Sequence, residues 1–352
     1  MVHTREPYDL FRNDPSLCEI SKQIIEEPRI FKNIDATRSP DRIVAPHGPP
    51  YSLLGTHGNQ TGSATQRGGA GGPASDDQML NSVLLHLEQA SRDEAVIRWG
   101  VALACPLKAR VRGLTLVDTR LLKSALQCEA AAYAVAELTR QASTERQQYS
   151  LRALLSKTCL EAGLNFDVRR TSGDPLHVLT SEARFHDLIV TSLARHANDH
   201  RESGGLSPRD LLTLLDRGVQ PLLVLQPQQA AFDRVLLVFD GSAESGRAIR
   251  SFLNLGILPD AEHRLLAIGA NETQARAALS EMAEYCLARR PSLESGWLVG
   301  RLRNVLLPYT WKWQADLLVA GVTRGSRLWR WLSGDPALRL WRTLPGGLYI
   351  TT

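Results

Sequence analysis

Three short stretches in the last third of the chain carry residue types suited to an anionic ligand that bears a ribose. The first is Asp240-Gly241-Ser242. A carboxylate at the end of a strand can accept hydrogen bonds from a ribose hydroxyl or an adenine amino group. The glycine behind it lets the chain turn sharply. The same residues also suit a plainer role, because Asp and Ser are preferred caps of a helix N-terminus. The second stretch is Gly321-Val322-Thr323-Arg324-Gly325-Ser326. Two glycines and a hydroxyl let backbone N–H groups face an anion, and Arg324 or Arg327 adds charge-assisted bonds to phosphate. The third is Ser333-Gly334-Asp335-Pro336. A helix start offers free N–H groups and the positive end of a dipole, although Asp335 ahead of Pro336 also reads as an ordinary N-cap.

These stretches need strands and helices to position them, and the chain supplies them twice. Short, near-continuous apolar runs at 82–88, 111–117, 166–170, 187–191 and 222–225 alternate with helical patterns at 91–104 and 124–162. Two more helices open on Asp174-Pro175 and Ser207-Pro208. The order then recurs, with strands at 234–240, 264–269, 293–299, 316–321 and 347–350 and helices between them. Strands buried on both faces read as continuous apolar runs, so each copy predicts a parallel sheet covered by helices. Right-handed crossovers make that a doubly wound α/β layer structure, with ligands expected outside the C-terminal ends of the strands. The expected fold class is therefore two tandem five-stranded parallel sheets with helices on both faces. The expected domains are 80–228 and 232–352.

Residues 1–79 read differently, as a largely irregular N-terminal arm. The run 55–75 is Gly-, Ser- and Asn-rich and predicts a flexible linker. Before it, Leu17, Ile20, Ile24, Ile25, Ile30, Phe31 and Ile34 make an apolar stretch that reads as one short helix or a docking segment, which Pro28 would end or kink.

Composition narrows the classes of function. The chain has 352 residues, 43% hydrophobic and 22% charged, which suits a soluble globular protein. A net charge of +4 without Lys/Arg blocks points to neither nucleic acid nor membrane. No signal peptide and no membrane-length apolar run is visible, so a cytoplasmic location is expected. The five cysteines form no CxxC pair. Cys105, Cys128, Cys159 and Cys286 fall within apolar helical patterns and read as buried thiols. His196 and His200 have metal-pair spacing but lie in a loop pattern without a third ligand, and no metal site of the protein's own is expected. Trp311, Trp313, Trp329, Trp331 and Trp341 read mainly as helix-to-sheet packing. No Ser-His-Asp or Cys-His arrangement and no GxxxxGK[ST] run is present.

The strand–Asp240-Gly241-Ser242–helix start, the Gly321 loop, Gly334 before the last helix and the Asp-Leu-Ile/Leu-Val strands together resemble the universal stress protein family. Its nucleotide-binding members carry a glycine, two residues, a glycine, nine residues, then glycine and Ser/Thr. Gly321 and Gly334 match the outer glycines, while Arg324 stands at the middle one with Gly325 a place later, and Asp335 stands at the Ser/Thr position. In the first copy Glu88-Gln89-Ala90 replaces Asp-Gly-Ser, and Ser192 onward lacks the glycine pair. The resemblance implies a stress-response sensor or regulator rather than a catalyst. It implies ATP or another adenine nucleotide in the second copy, held by Asp240, Gly241, Ser242, Gly321, Arg324, Gly325, Ser326, Gly334 and Asp335. Mg²⁺ enters only with the nucleotide, and no nucleotide is expected in the first copy. The partners expected are the two copies for each other, through strands 222–225 and 348–350, a second copy of the chain, and a protein of unknown identity. Two alternatives stay open: a nucleotide-free scaffold and a slow ATPase.

Overall fold

The computed structural model describes residues 80–88, 90–119, 131–192, 206–219, 221–226, 231–323, 344 and 346–352. The first set of strands is β1 (Ser82–Leu87), β2 (Arg110–Asp118), β3 (Phe166–Gly173), β4 (Leu188–Ser192) and β5 (Leu222–Leu225). The second set is β6 (Arg234–Phe239), β7 (Glu262–Gly269), β8 (Glu294–Val299), β9 (Leu317–Gly321) and β10 (Gly347–Thr351). The helices are α1 (Ala90–Ala104), α2 (Ala131–Glu161), α3 (Pro175–Ala183), α4 (Pro208–Asp216), α5 (Ala243–Asn254), α6 (Glu272–Arg289) and α7 (Leu302–Trp313).

All ten strands form one sheet in the order β3-β2-β1-β4-β5-β10-β9-β6-β7-β8. Pairing within each set is parallel, and the sets join through antiparallel β5 and β10, with Leu223 opposite Tyr349. The expected pairing of the last strands is thus present, and it fuses two five-stranded sheets into a single ten-stranded one. The described residues lie in one compact unit.

Alternation along each strand divides the core into two layers. Val83, Leu85 and Leu87 face α1 and α2, and Val235, Leu237 and Phe239 face α5 and α6. Leu84 turns the other way, toward α3 and α4, as Leu236 and Val238 turn toward α7. The polar helix starts behave as their sequences suggest. Asp174 accepts from Leu176 N at 3.0 Å, and Ser207 forms a reciprocal capping box with Asp210.

The Asp-Leu-Ile/Leu-Val motif acquires a physical role. Asp187 Oδ2 accepts from the backbone N–H groups of Asn81 and Ser82, both at 2.9 Å. Asp316 Oδ2 accepts from Asp233 and Arg234, both at 3.0 Å. In each half the aspartate before the fourth strand fixes the entry of the first.

Two sequence expectations change. Strand β3 runs on to Gly173, because β2 supplies partners as far as Asp118. Cys105 is exposed rather than buried, since α1 ends at Ala104 and Cys105 begins the turn that follows. Cys159 and Cys286 are buried as expected, and burial pushes their thiols up to about 11 and about 12. Trp313 is buried under the guanidinium of Arg264, 4.6 Å from its ring centre. Residues 1–79, Cys128, His196, His200, Trp329, Trp331 and Trp341 lie outside the described residues.

Burial also gives the fold an acid sensitivity. His263 in β7 is buried, with Nδ1 2.7 Å from Ala261 O. Desolvation lowers its pKa from 6.5 to about 4, with the Arg290 charge acting the same way and the Ala261 bond opposing both. Between those values the unfolded chain takes up a proton that the folded chain refuses. Stability is therefore lost as pH falls through that window, by up to about 3 kcal/mol. We expect His263→Leu to shrink the drop in melting temperature between about pH 7.5 and pH 5. An unchanged drop would assign the acid sensitivity to another group.

Candidate functional site

Each half reverses its strand order next to its first strand. In the second half the chain builds β6, β7 and β8 in one direction and then crosses back to place β9 on the other side of β6. The crevice outside the C-terminal ends of β6 and β9 is the ligand position that such topology creates.

Asp240 follows β6 directly and Ser242 caps α5. Gly241 between them has φ 79°, a left-handed conformation that side chains disfavour, so the glycine is a requirement of the turn. Asp240 Oδ1 accepts from Ser242 N at 3.1 Å, from Ser242 Oγ, and from Ser245 Oγ at 2.9 Å. Ser242 Oγ in turn accepts from Ser245 N at 3.2 Å. The carboxylate is thus held in one orientation by a hydroxyl pair, with Oδ2 outside these bonds.

Gly321 closes β9 against the first turn of α5. A Cβ at this position would stand 2.1 Å from Glu244 O and 2.5 Å from Ser245 N. Real Cβ atoms do not approach that closely, so the glycine lets β9 and the start of α5 touch. Val322 N then donates to Thr351 O at 2.8 Å, binding the loop to β10.

The structure therefore brings Asp240, Gly241, Ser242 and Gly321 together. Arg324, Gly325, Ser326, Gly334 and Asp335 lie outside the described residues. Sequence reasoning missed three further contributors. Ser245 is the buried second hydroxyl on Asp240. Gly269 and Gly300 stand at the C-terminal ends of β7 and β8, joined by a 2.9 Å bond from Gly300 N to Gly269 O. With Gly241 and Gly321, they put a glycine at or within two residues of the ends of β6, β7, β8 and β9, and Gly269 and Gly321 pack directly on the first turns of α6 and α5. Glycines directly after four successive apolar runs were the available signal.

The first half follows the same plan with the opposite chemistry. Register pairs Leu85 with Val190 in β1 and β4, and Leu237 with Val319 in β6 and β9. Counting from these pairs, Glu88 corresponds to Asp240, Asp93 to Ser245 and Ser192 to Gly321. Glu88 N donates to Asp93 Oδ2 at 2.6 Å, just as Asp240 N donates to Ser245 Oγ at 3.4 Å. Ser192 Oγ donates to Asp93 Oδ1 at 2.5 Å. His86 Nε2 lies 3.2 Å from Glu88 Oε1, and His86 Nδ1 shares a 3.0 Å hydrogen bond with Thr191 Oγ1. His86, Glu88, Asp93, Thr191 and Ser192 are all buried. They form a buried polar network where the second half has Val238, Asp240, Ser245, Ala320 and Gly321.

Two halves of parallel strands, each with a reversal of strand order beside its first strand, define a doubly wound α/β fold. A universal stress protein from Archaeoglobus fulgidus aligns with TM-score 0.58 at 16% identity, over 78% of this chain and 97% of its own. A functionally unknown protein from Pseudomonas aeruginosa PAO1 aligns with TM-score 0.49 at 15% identity, over 79% and 94%. A universal stress protein in complex with cAMP aligns with TM-score 0.31 at 15% identity, over 42% of this chain and 99% of its own. No family model and no curated protein matches the chain. The first of these likenesses shows that the chain has the universal stress protein fold. Among the described residues, no helix is long and apolar enough to cross a membrane, and no His/Cys/Asp/Glu cluster is arranged to hold a metal ion.

Proposed function

We propose that this chain is a tandem universal stress protein with domains at 80–228 and 232–352. It acts as a cytoplasmic, stress-responsive sensor or regulator that binds an adenine nucleotide in its second domain. The observation that carries the reading is the fixed Asp240 carboxylate beside Gly241 at the reversal of strand order. Asp240 Oδ1 is held by Ser242 and Ser245, and the remaining oxygen, outside these bonds, would serve as an acceptor for ribose or adenine. Gly241, where an added Cβ would meet nothing closer than 4.0 Å, leaves backbone open to a ligand beside Asp240. Arg324, Gly325, Ser326, Gly334 and Asp335 would complete the phosphate side, with Mg²⁺ arriving on the nucleotide. The first domain supports this division of labour, because its own buried side chains fill the corresponding space.

A second reading, a nucleotide-free scaffold for a protein partner or a second copy of the chain, is favoured by one observation. Gly321 and Asp240 both have sufficient structural reasons to be present, one for close packing and the other for capping. Titration calorimetry with ATP on the full chain separates the two. The sensor requires saturable heat that weakens at least about tenfold in Asp240→Ala, a change on the scale of one charged hydrogen bond. No heat at millimolar ATP leaves the scaffold.

A further inference from the structure

The sheet ends on β3 at one side and on β8 at the other, and among the described residues no strand lies beyond either. An end strand presents unpaired main-chain groups, and charged side chains are a common guard against stray pairing there. Strand β3 is guarded in this way. Asp167 is bonded to Arg112 at 2.8 Å, Arg169 to Glu182 and Arg170 to Glu145. Strand β8 is built differently. Ser295, Gly296, Trp297, Leu298 and Val299 carry no charge, and Val299 is 45% exposed.

One bond fixes which way the main chain of β8 points. Gly300 N donates inward to Gly269 O at 2.9 Å. Bonding direction alternates along a strand, so Gly296 and Leu298 also face β7, while Ser295, Trp297 and Val299 turn their N–H and C=O groups outward. Burial follows the same alternation, with Gly296 and Leu298 buried and the other three half-buried or exposed. The outward residues are evenly spaced about Trp297, which makes the edge complementary to itself. A two-fold axis perpendicular to the sheet at Trp297 sets Trp297 against its own copy and Ser295 against Val299 twice, closing about six main-chain hydrogen bonds. The same register brings Glu294 opposite Gly300 of the second copy, next to the exposed Arg301, so unlike charges meet at both ends. The chain already uses antiparallel pairing of end strands once, where β5 joins β10. We propose that β8 is a self-association edge, at which a second copy of this chain pairs antiparallel in this register. Strand β7 then stands between the contact and β6, the strand that presents Asp240.

Sedimentation of the full chain tests the proposal. The unaltered chain should show a reversible monomer–dimer equilibrium. Ser295→Lys/Val299→Lys places like charges opposite each other at both ends of the contact and should weaken association at least about tenfold, with circular dichroism unchanged. Ser295→Glu/Val299→Lys places unlike charges in the same pairs and should restore the dimer. A chain that stays monomeric at its highest soluble concentration overturns the proposal, as does a dimer indifferent to the two lysines or one that the Glu/Lys pair fails to restore. Hydrogen exchange of the unaltered chain gives a second reading that needs no variant. The amides of Ser295, Trp297 and Val299 should exchange about tenfold more slowly in the dimer than on dilution. Protection of these amides that persists in the monomer also overturns the proposal, because another segment of the chain then covers the edge. None of these outcomes depends on whether ATP binds.

Discussion

Gly321→Ala is expected to cost the fold about 3 kcal/mol or more, the upper range of overpacking. The new methyl would stand 2.1 Å from Glu244 O, which belongs to backbone and cannot swing aside as a side chain does. Relief requires β9 to part from the first turn of α5, and both are held by buried strands on either side. Gly246→Ala is the control, since the nearest atom there is the flexible end of Met282 at 3.3 Å. Alanine also favours a helix interior by about 0.5–1 kcal/mol over glycine. In thermal unfolding we expect Gly246→Ala to melt near the unaltered protein and Gly321→Ala several degrees lower. A Gly321→Ala protein that melts unchanged would show that β9 and α5 do not touch. The consequence for ligand work is direct: loss of ATP binding in Gly321→Ala would report damage to the scaffold, so Asp240 is the better probe.

Asp93→Ala is expected to destabilise by about 3 kcal/mol, because the buried Glu88 N–H and Ser192 hydroxyl both lose their acceptor. In a protein of this size that lowers the melting temperature by about 5–10 °C. Asp93→Asn keeps one acceptor oxygen and should recover part of the loss. Equal melting of Asp93→Ala and the unaltered protein would mean that water replaces the carboxylate, and that the network is an ordinary wet surface.

The strands were legible because parallel strands buried on both faces must be written as apolar runs, and both 234–239 and 317–321 are. The ends of elements were harder to see. Residues 171–173 of β3 read Thr-Ser-Gly and carry no apolar signal; they are a strand only because β2 extends alongside. At the candidate site, Asp240-Gly241-Ser242 was visible as a contiguous motif. The network of the first half was not, because Glu88, Asp93 and Ser192 come from a strand end, a helix turn and a distant strand, and become neighbours only through register. Asp187 and Asp316 were noticed as part of a repeated motif, yet their function of holding strand entries is a matter of paired backbone N–H groups that composition does not encode.

The antiparallel junction of β5 and β10 has a consequence for symmetry. When two identical chains join through such a pair, both crevices must contain the same residues, and any change in one appears in the other. Here the joined halves are parts of one chain, so the junction survives dilution and the two crevices are free to differ. In the first, His86, Glu88, Asp93, Thr191 and Ser192 form a buried polar network, and in the second Asp240 and Ser245 stand beside Gly241 and Gly321. One antiparallel seam therefore relates two halves whose strand-end chemistry is not equivalent.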